Sequence, residues 1–264
     1  FGGINLEDIS SPRCFDIETR LRKALPIPVI HDDQHGTAVV VLAALINAGR
    51  LLRKNIRKFR IAMAGAGAAG TAIAKILLAY GVKDITLCDR SGTVYVGRRV
   101  NMNPHLAALA KITNPRKIKG TISDAMAGAN VFIGVSAPKV ITTTDIRRMA
   151  KDPVIFALAN PDPEISPEEA LPFAKILATG RSDIPNQINN MLSYPGIFRG
   201  LLDVHARGVN EAVKLAAAEA IAHMVKAEEL HADYIIPSPF EKKVVPAVAH
   251  AVAEAAKKTG LAER

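Results

Sequence analysis

The stretch RIAMAGAGAAGTAIAKILLAYGVKDITLCD, residues 60–89, constrains the fold more than any other part of the chain. An apolar run, RIAMA, is followed at once by Gly65, Gly67 and Gly70 in G-x-G-x-x-G spacing. That spacing alone is weak, because small residues recur by chance. Its context makes it specific. A strand pattern precedes it, a helical pattern closed by Gly81 follows, and a second strand pattern, DITLCD, ends in the acid Asp89. Glycine at 65 permits a tight turn, glycine at 67 lets a pyrophosphate approach the backbone, and glycine at 70 lets the helix pack closely on the strand. The helix start offers free N–H groups and the positive end of its dipole to phosphates. The expected ligand is a dinucleotide held by Gly65, Ala66, Gly67, Ala68, Ala69 and Gly70. Asp89 is expected to accept from the adenine ribose hydroxyls and to repel a 2′-phosphate, which favours NAD over NADP. Arg90, beside it, could pair with that phosphate and pulls the other way.

The same alternation continues downstream. Short helical patterns in SDAMAGA, TTTDIRRMAKD and SPEEALPFA separate strand patterns in NVFIGVSAP, PVIFALANP and KILATG. Strands alternating with helices argue for an α/β fold, a Rossmann-type doubly wound parallel sheet covered on both faces. Upstream, SSPRCFDIETRLRKAL reads as a helix with Ser11 as N-cap and Pro12 at its first position. HGTAVVVLAALINAGRLL reads as a long helix, apolar nearly all round, buried or packed on another subunit. After Gly180 the pattern is helical, in NQINNMLSY, NEAVKLAAAEAIAHMVKAEEL and KKVVPAVAHAVAEAAKK. The strand ends at GVSAP and LANPDPE are where an open parallel sheet binds ligands, which brings forward Asn160 as an amide facing ligand, with a turn asparagine before proline as the alternative. Asn189 and Asn190, in RSDIPNQINN, are either ligand contacts or helix caps.

Composition narrows the class. The chain has 264 residues, 49% of them apolar and 22% charged, as expected of a globular domain with a real core. Cys14 and Cys88 are the only cysteines, so a disulfide framework is not expected and a reducing, cytoplasmic setting is. No signal peptide opens the chain, and no uninterrupted apolar run has spanning length. The net charge of +9 would attract anions, yet its bases are dispersed, in RLRK, RLLRKNIRKFR and GRR, and aromatic residues make up only 5%. Solvated faces and phosphate attraction explain that charge better than a nucleic-acid surface.

Two acidic doublets remain. Glu7 and Asp8 lie in INLEDIS, and Asp32 and Asp33 in VIHDDQHGTA. Adjacent strand residues point to opposite faces, so each doublet can converge on one ion only where the backbone turns. Carboxylates so gathered would repel one another without a cation, and oxygen ligands suit Mg²⁺ or Mn²⁺. His31 and His35 raise zinc as an alternative, without a third ligand in the expected spacing.

NLEDI, HDDQHGTA, GAGAAG, ALANPDPE, ATGRSDIPNQINN and YPGIFRG occur here in the order seen in malic enzymes of the bacterial and archaeal type, and the resemblance runs along essentially the whole chain. It implies oxidative decarboxylation of L-malate to pyruvate and CO₂, with NAD or NADP and Mg²⁺ or Mn²⁺. It implies Glu7, Asp8 and Asp33 as metal ligands, Asp32 as the acid that faces a catalytic lysine, and Asn160 and Asn190 as contacts to substrate and nicotinamide. The family's general-base lysine and general-acid tyrosine belong to a preceding domain. None of Lys23, Tyr80, Tyr95, Tyr194 or Tyr234 lies in the expected motif, so none is assigned. The chain is therefore expected to hold the end of that preceding domain over residues 1–30 and a dinucleotide-binding domain with C-terminal helices over residues 31–264. The partners expected are L-malate and further copies of the chain, as a homodimer or larger homo-oligomer, with no nucleic acid and no membrane. The competing readings are a non-catalytic NAD-binding module and a different NAD-dependent dehydrogenase. The doublets argue against the latter.

Overall fold

The computed structural model describes residues 1–263. The chain opens with β1 (Ile4–Leu6), α1 (Arg13–Ala24) and β2 (Val29–His31), and β1 pairs in parallel with β2 as a separate two-stranded sheet. Then comes α2 (Asp32–Leu52), which leads to the main sheet. That sheet takes β3 (Arg60–Ala64), β4 (Asp84–Asp89), β5 (Gly92–Thr93), β6 (Val131–Gly134), β7 (Val154–Ala157) and β8 (Ile176–Thr179), in the order β5-β4-β3-β6-β7-β8. All its pairings are parallel except β4 with β5. The strand order reverses between β3 and β6, which makes their carboxyl ends the topological switch point.

Side chains alternate across the sheet and feed two cores. Ile61 and Met63 of β3, Ile85 and Leu87 of β4 and Val131 and Ile133 of β6 join the core under α2 and α3 (Ala68–Tyr80). Ala62, Ala64 and Phe132 join the core on the other face, with α5 (Ile122–Met126), α6 (Thr143–Arg147) and α7 (Pro167–Ala170). Because both faces are covered, β6, β7 and β8 are buried at every position, which explains their unbroken apolar sequences. The remaining helices are α4 (Pro104–Ile112), α8 (Tyr194–Asp203), α9 (Glu211–His223) and α10 (Val244–Lys258).

Several sequence expectations change. Helix α1 starts at Arg13, with Pro12 in the cap position and no side-chain cap, so neither Ser11 nor Pro12 plays the role expected of it. Asp32 and Asp33 do not sit in a turn before α2; they are its first two residues, where carboxylates meet the positive end of the helix dipole. NQINNMLSY forms only a 3₁₀ turn over Asn190–Leu192, because a new helix, α8, starts at Tyr194 with Pro195 in its first turn, which the sequence pattern concealed. Helix α4, opened by Asn103 and Pro104, was also missed. Helix α2 has the length and mean hydropathy (1.5) to cross a membrane, yet 72% of that window is buried inside this molecule. It is a core helix, and most of its apolar surface is covered within the chain.

Candidate functional site

The glycine-rich turn joins β3 to α3. Gly65 takes φ +109°, a conformation that disfavours any side chain. A Cβ on Gly70 would stand 1.9 Å from the Gly65 carbonyl oxygen, so this helix turn and the loop touch backbone to backbone. Gly67 is the N-cap of α3, and a Cβ there would meet nothing within 4 Å. The glycine expected to face a ligand is thus the one with open space in front of it, with Ala66, Ala68 and Ala69 beside it.

A cleft of about 410 Å³ opens at the switch point. Ala69 of α3, Val135 and Ser136 after β6, Asn160 after β7, and Asn189 and Asn190 line it, and Asp33 and Thr37 of α2 close one end. Its floor is fixed by a residue that sequence reasoning passed over. Glu164 is fully buried and accepts from the Ser136 amide (2.8 Å) and hydroxyl (3.3 Å) on Oε1 and from the Ala159 amide (3.0 Å) on Oε2. It therefore ties the loop after β6 to the loop after β7. Burial pushes its carboxyl above the ordinary value, and those donors restrain the shift. A Cβ on Gly134 would lie 2.2 Å from its carboxyl carbon, which explains the glycine that ends β6.

Asp89 ends β4 as expected, but not as a free carboxylate. Arg98, almost wholly buried, forks onto both of its oxygens and also donates to the carbonyls of Gly92 and Thr93. The Ser91 amide adds a third donor, at 2.8 Å from Oδ1. Arg98 went unassigned because the local GRR cluster reads as surface charge; only its distance from Asp89 through the β5 hairpin marks it. Arg90 is exposed.

The two acidic doublets come near one another at the start of α2. The Asp8 amide donates to Asp33 Oδ2 at 2.9 Å, which joins the end of β1 to the first turn of α2. Asp8 takes φ +57°, the turn the doublet needs in order to present its carboxylates. Asp32 is buried and accepts from Asn190 Nδ2 at 2.7 Å through Oδ2, while Oδ1 has no partner. A Cβ on Gly36 would lie 2.1 Å from that Oδ1, so the glycine of HGTA leaves room for it. Burial, together with the charges of Glu7 and Asp33, pushes the Asp32 carboxyl up to about 6 against the hydrogen bond from Asn190. Asn189 caps the 3₁₀ turn by accepting from Met191 N, and also lines the cleft. Tyr194 reaches the same corner, donating to Asn5 Oδ1; burial and then the surrounding carboxylates hold its phenol well above the ordinary value.

The two histidines serve differently from zinc ligands. His31 is buried with no partner on either ring nitrogen, Nδ1 standing 3.8 Å from Asp33 Oδ2. His35 binds Glu18 of α1 at 2.8 Å, and Lys214 of α9 lies 3.4 Å from its other nitrogen. Among the described residues, no three His, Cys, Asp or Glu side chains are gathered closely enough to hold an ion as they stand. The carboxylates of Glu7 and Asp8 have no Lys or Arg partner within 4 Å there, and Asp33 has only His31.

A parallel, doubly wound sheet with a glycine turn and a cleft at its switch point defines a dinucleotide-binding domain of the Rossmann type. The family model described as malic enzyme, NAD binding domain, matches residues 34–257. The chain is 56% identical over 264 residues to the NAD-dependent malic enzyme of Geobacillus stearothermophilus, covering all of this chain and 55% of that protein. It is 46% identical to the NADP-dependent malic enzyme of Escherichia coli, covering all of this chain and 37% of that one. The crystal structure of malic enzyme from Pyrococcus horikoshii superposes with a TM-score of 0.95 at 47% identity, over 100% of this chain and 63% of that chain. The chain belongs to the malic enzyme NAD-binding domain family, and its coenzyme class is NAD(P). It spans between about a third and two thirds of the length of these relatives.

Proposed function

We propose that this chain is the dinucleotide- and metal-binding part of an enzyme that oxidises and decarboxylates L-malate to pyruvate and CO₂. The observation that carries the reading is the buried Asp32, held by Asn190, which lines the cleft, and set beside the charges of Glu7 and Asp33. Glu7, Asp8 and Asp33 would hold Mg²⁺ or Mn²⁺. Their fit rests on donor chemistry, three oxygen ligands without a Lys or Arg partner among the described residues. When bound, the dinucleotide accepts a hydride, and the cation polarises the oxygens of the substrate.

The chain's own residues then bind and orient. Gly67 and the start of α3 receive the pyrophosphate. Asn160 and Asn190, both in the cleft lining, present amides to substrate and nicotinamide. Asp32, with Oδ1 unpartnered, orients a proton-bearing lysine supplied from outside these residues, as the resemblance implies. Residues 1–30, with their separate small sheet, are the close of a preceding domain, and residues 31–264 the dinucleotide-binding domain. NAD is the preferred coenzyme through Asp89, and NADP an accepted second one, because Arg98 offsets much of the carboxylate's repulsion. A cytoplasmic setting accords with two buried free cysteines. A homodimer or larger homo-oligomer accords with the exposed Val96, Val100, Leu202 and Phe240.

The test is turnover by the enzyme that contains this chain. With L-malate, Mn²⁺ and NAD, NADH, pyruvate and CO₂ should form in equal amounts. NADH without CO₂, or no NADH at all, would overturn the reading.

A further inference from the structure

The basic cluster RLLRKNIRKFR, residues 50–60, plays no part in the cleft. The structure folds it around a separate cavity of about 380 Å³ between the C-terminal ends of α2 and α3. Arg50, Arg53, Lys54, Arg57 and Tyr80 line it, and no acidic residue does. Lys54 is neutralised by Asp152 at 3.2 Å. The other three cations have no carboxylate within 4 Å among the described residues. Arg50 is held in place by neutral acceptors, Asn47 Oδ1 at 2.6 Å and the Val225 carbonyl at 3.2 Å. Arg57 donates through Nε to the Tyr80 carbonyl at 3.1 Å and lies over the Tyr80 ring, which leaves the outer nitrogens of its fork unengaged. The Arg53 guanidinium makes no protein hydrogen bond among the described residues; only its backbone N–H donates, to the Arg50 carbonyl at 3.1 Å. Arg53 also occupies the left-handed C-cap of α2, at φ 54°, a conformation that favours glycine or asparagine.

The bland account is that these cations complement helix ends. Three C-termini do meet here, those of α2, α3 and α9. Each supplies about half a negative charge, so together they offset roughly half of three guanidinium charges. A positive surplus remains beside the exposed Glu219 of α9, the acid whose charge reaches Tyr80, and it is concentrated in a concave site where two guanidinium forks still have free donors. Such forks match phosphate and carboxylate oxygens.

We propose that this cavity is a second ligand site, specific for a compact multivalent oxyanion, a phosphate or polycarboxylate small molecule. It lies at one end of α2 and the acidic corner at the other, roughly 30 Å apart at about 1.5 Å per residue. Its occupant is therefore neither the dinucleotide nor the substrate of the cleft, and the proposal stands or falls independently of the function assigned there.

The experiment is calorimetric titration of the enzyme that contains this chain, free of divalent metal, saturated with NAD and held at fixed ionic strength. Inorganic pyrophosphate and citrate are the two probes, and chloride is the control. At least one probe should bind, and chloride should not. Arg53→Asn, which suits the left-handed cap, and Arg57→Gln should each weaken that binding at least tenfold while leaving NAD affinity unchanged. Tighter binding of pyrophosphate would mark phosphate as the natural chemistry, and tighter binding of citrate would mark carboxylate. Absence of binding by both probes, or equal binding in the wild type and the two variants, would overturn the proposal.

Discussion

The glycine turn and the acidic corner face the same cleft but are built in opposite ways. The turn is made of backbone. Its parts are contiguous, from β3 through Gly70, and they fix one another: Gly65 turns the chain, and Gly70 closes the helix against it. The corner is drawn from three separate segments: Glu7 with Asp8, Asp32 with Asp33, and Asn190. Asp8 reaches Asp33 across 25 positions, and Asn190 reaches Asp32 across 158. The turn rests on a six-stranded sheet with apolar cores on both faces, whereas the corner joins the start of α2 to a two-stranded sheet of three-residue strands, beside α1, which buries only Cys14 and Glu18. A site of local backbone is complete once its own strand and helix form. A site of distant side chains depends on everything that packs them.

The sharpest way to break this contrast is at Gly67. A Cβ there meets no protein atom within 4 Å, so the fold should accept a side chain, and valine's branch then fills the space left for a pyrophosphate. NAD affinity should fall about 100-fold or more, a loss of roughly 2.7 kcal/mol. Fluorescence titration with NAD measures it, and unchanged affinity would remove the dinucleotide from this turn.

The corner predicts a division between neighbours. Asp33→Asn should cost about tenfold or more in Mn²⁺ affinity, about 1.4 kcal/mol, since it removes a charged ligand. Asp32→Asn should leave Mn²⁺ affinity within about twofold and slow turnover instead, because its carboxylate is held by Asn190. Calorimetry on both variants of the enzyme that contains this chain decides. Equal losses would refute the separation.

The smallest expected effect reports on the two supports themselves. Cys88 lies in β4, and Cys14 in α1, both buried. If α1 and the small sheet open locally while the main sheet opens only globally, Cys14 should react with a thiol reagent several-fold faster than Cys88. Mass spectrometry of partially alkylated protein gives the order. The reverse order would mean that the acidic corner is the more firmly held of the two.

The same contrast decides what the sequence makes legible. Strand, glycine and helix between residues 60 and 89 are read correctly because each residue type answers to its own backbone. The short downstream strands were found for the same reason, as apolar runs bounded by turns. Helices α4 and α8 were missed because Pro104 and Pro195, which open them, read equally well as breaks. The acids of the corner could be named by type, but their placement in the first turn of α2 could not, since nothing in HDDQ fixes where a helix begins. Arg98 and Glu164 were invisible for a further reason: a buried charge looks like a surface charge until its partner is known, and both partners lie across a loop.

Glu164 also bears on the thermodynamics of ligand capture. Freezing the backbone of a free loop costs about 1–2 kcal/mol per residue in conformational entropy. By tying Ser136 to Ala159 from beneath, the buried carboxylate moves that ordering into the folding of the chain, where the two cores offset it. A ligand entering between the two loops meets backbone already in position, so its contacts count towards affinity with little deduction for disorder lost.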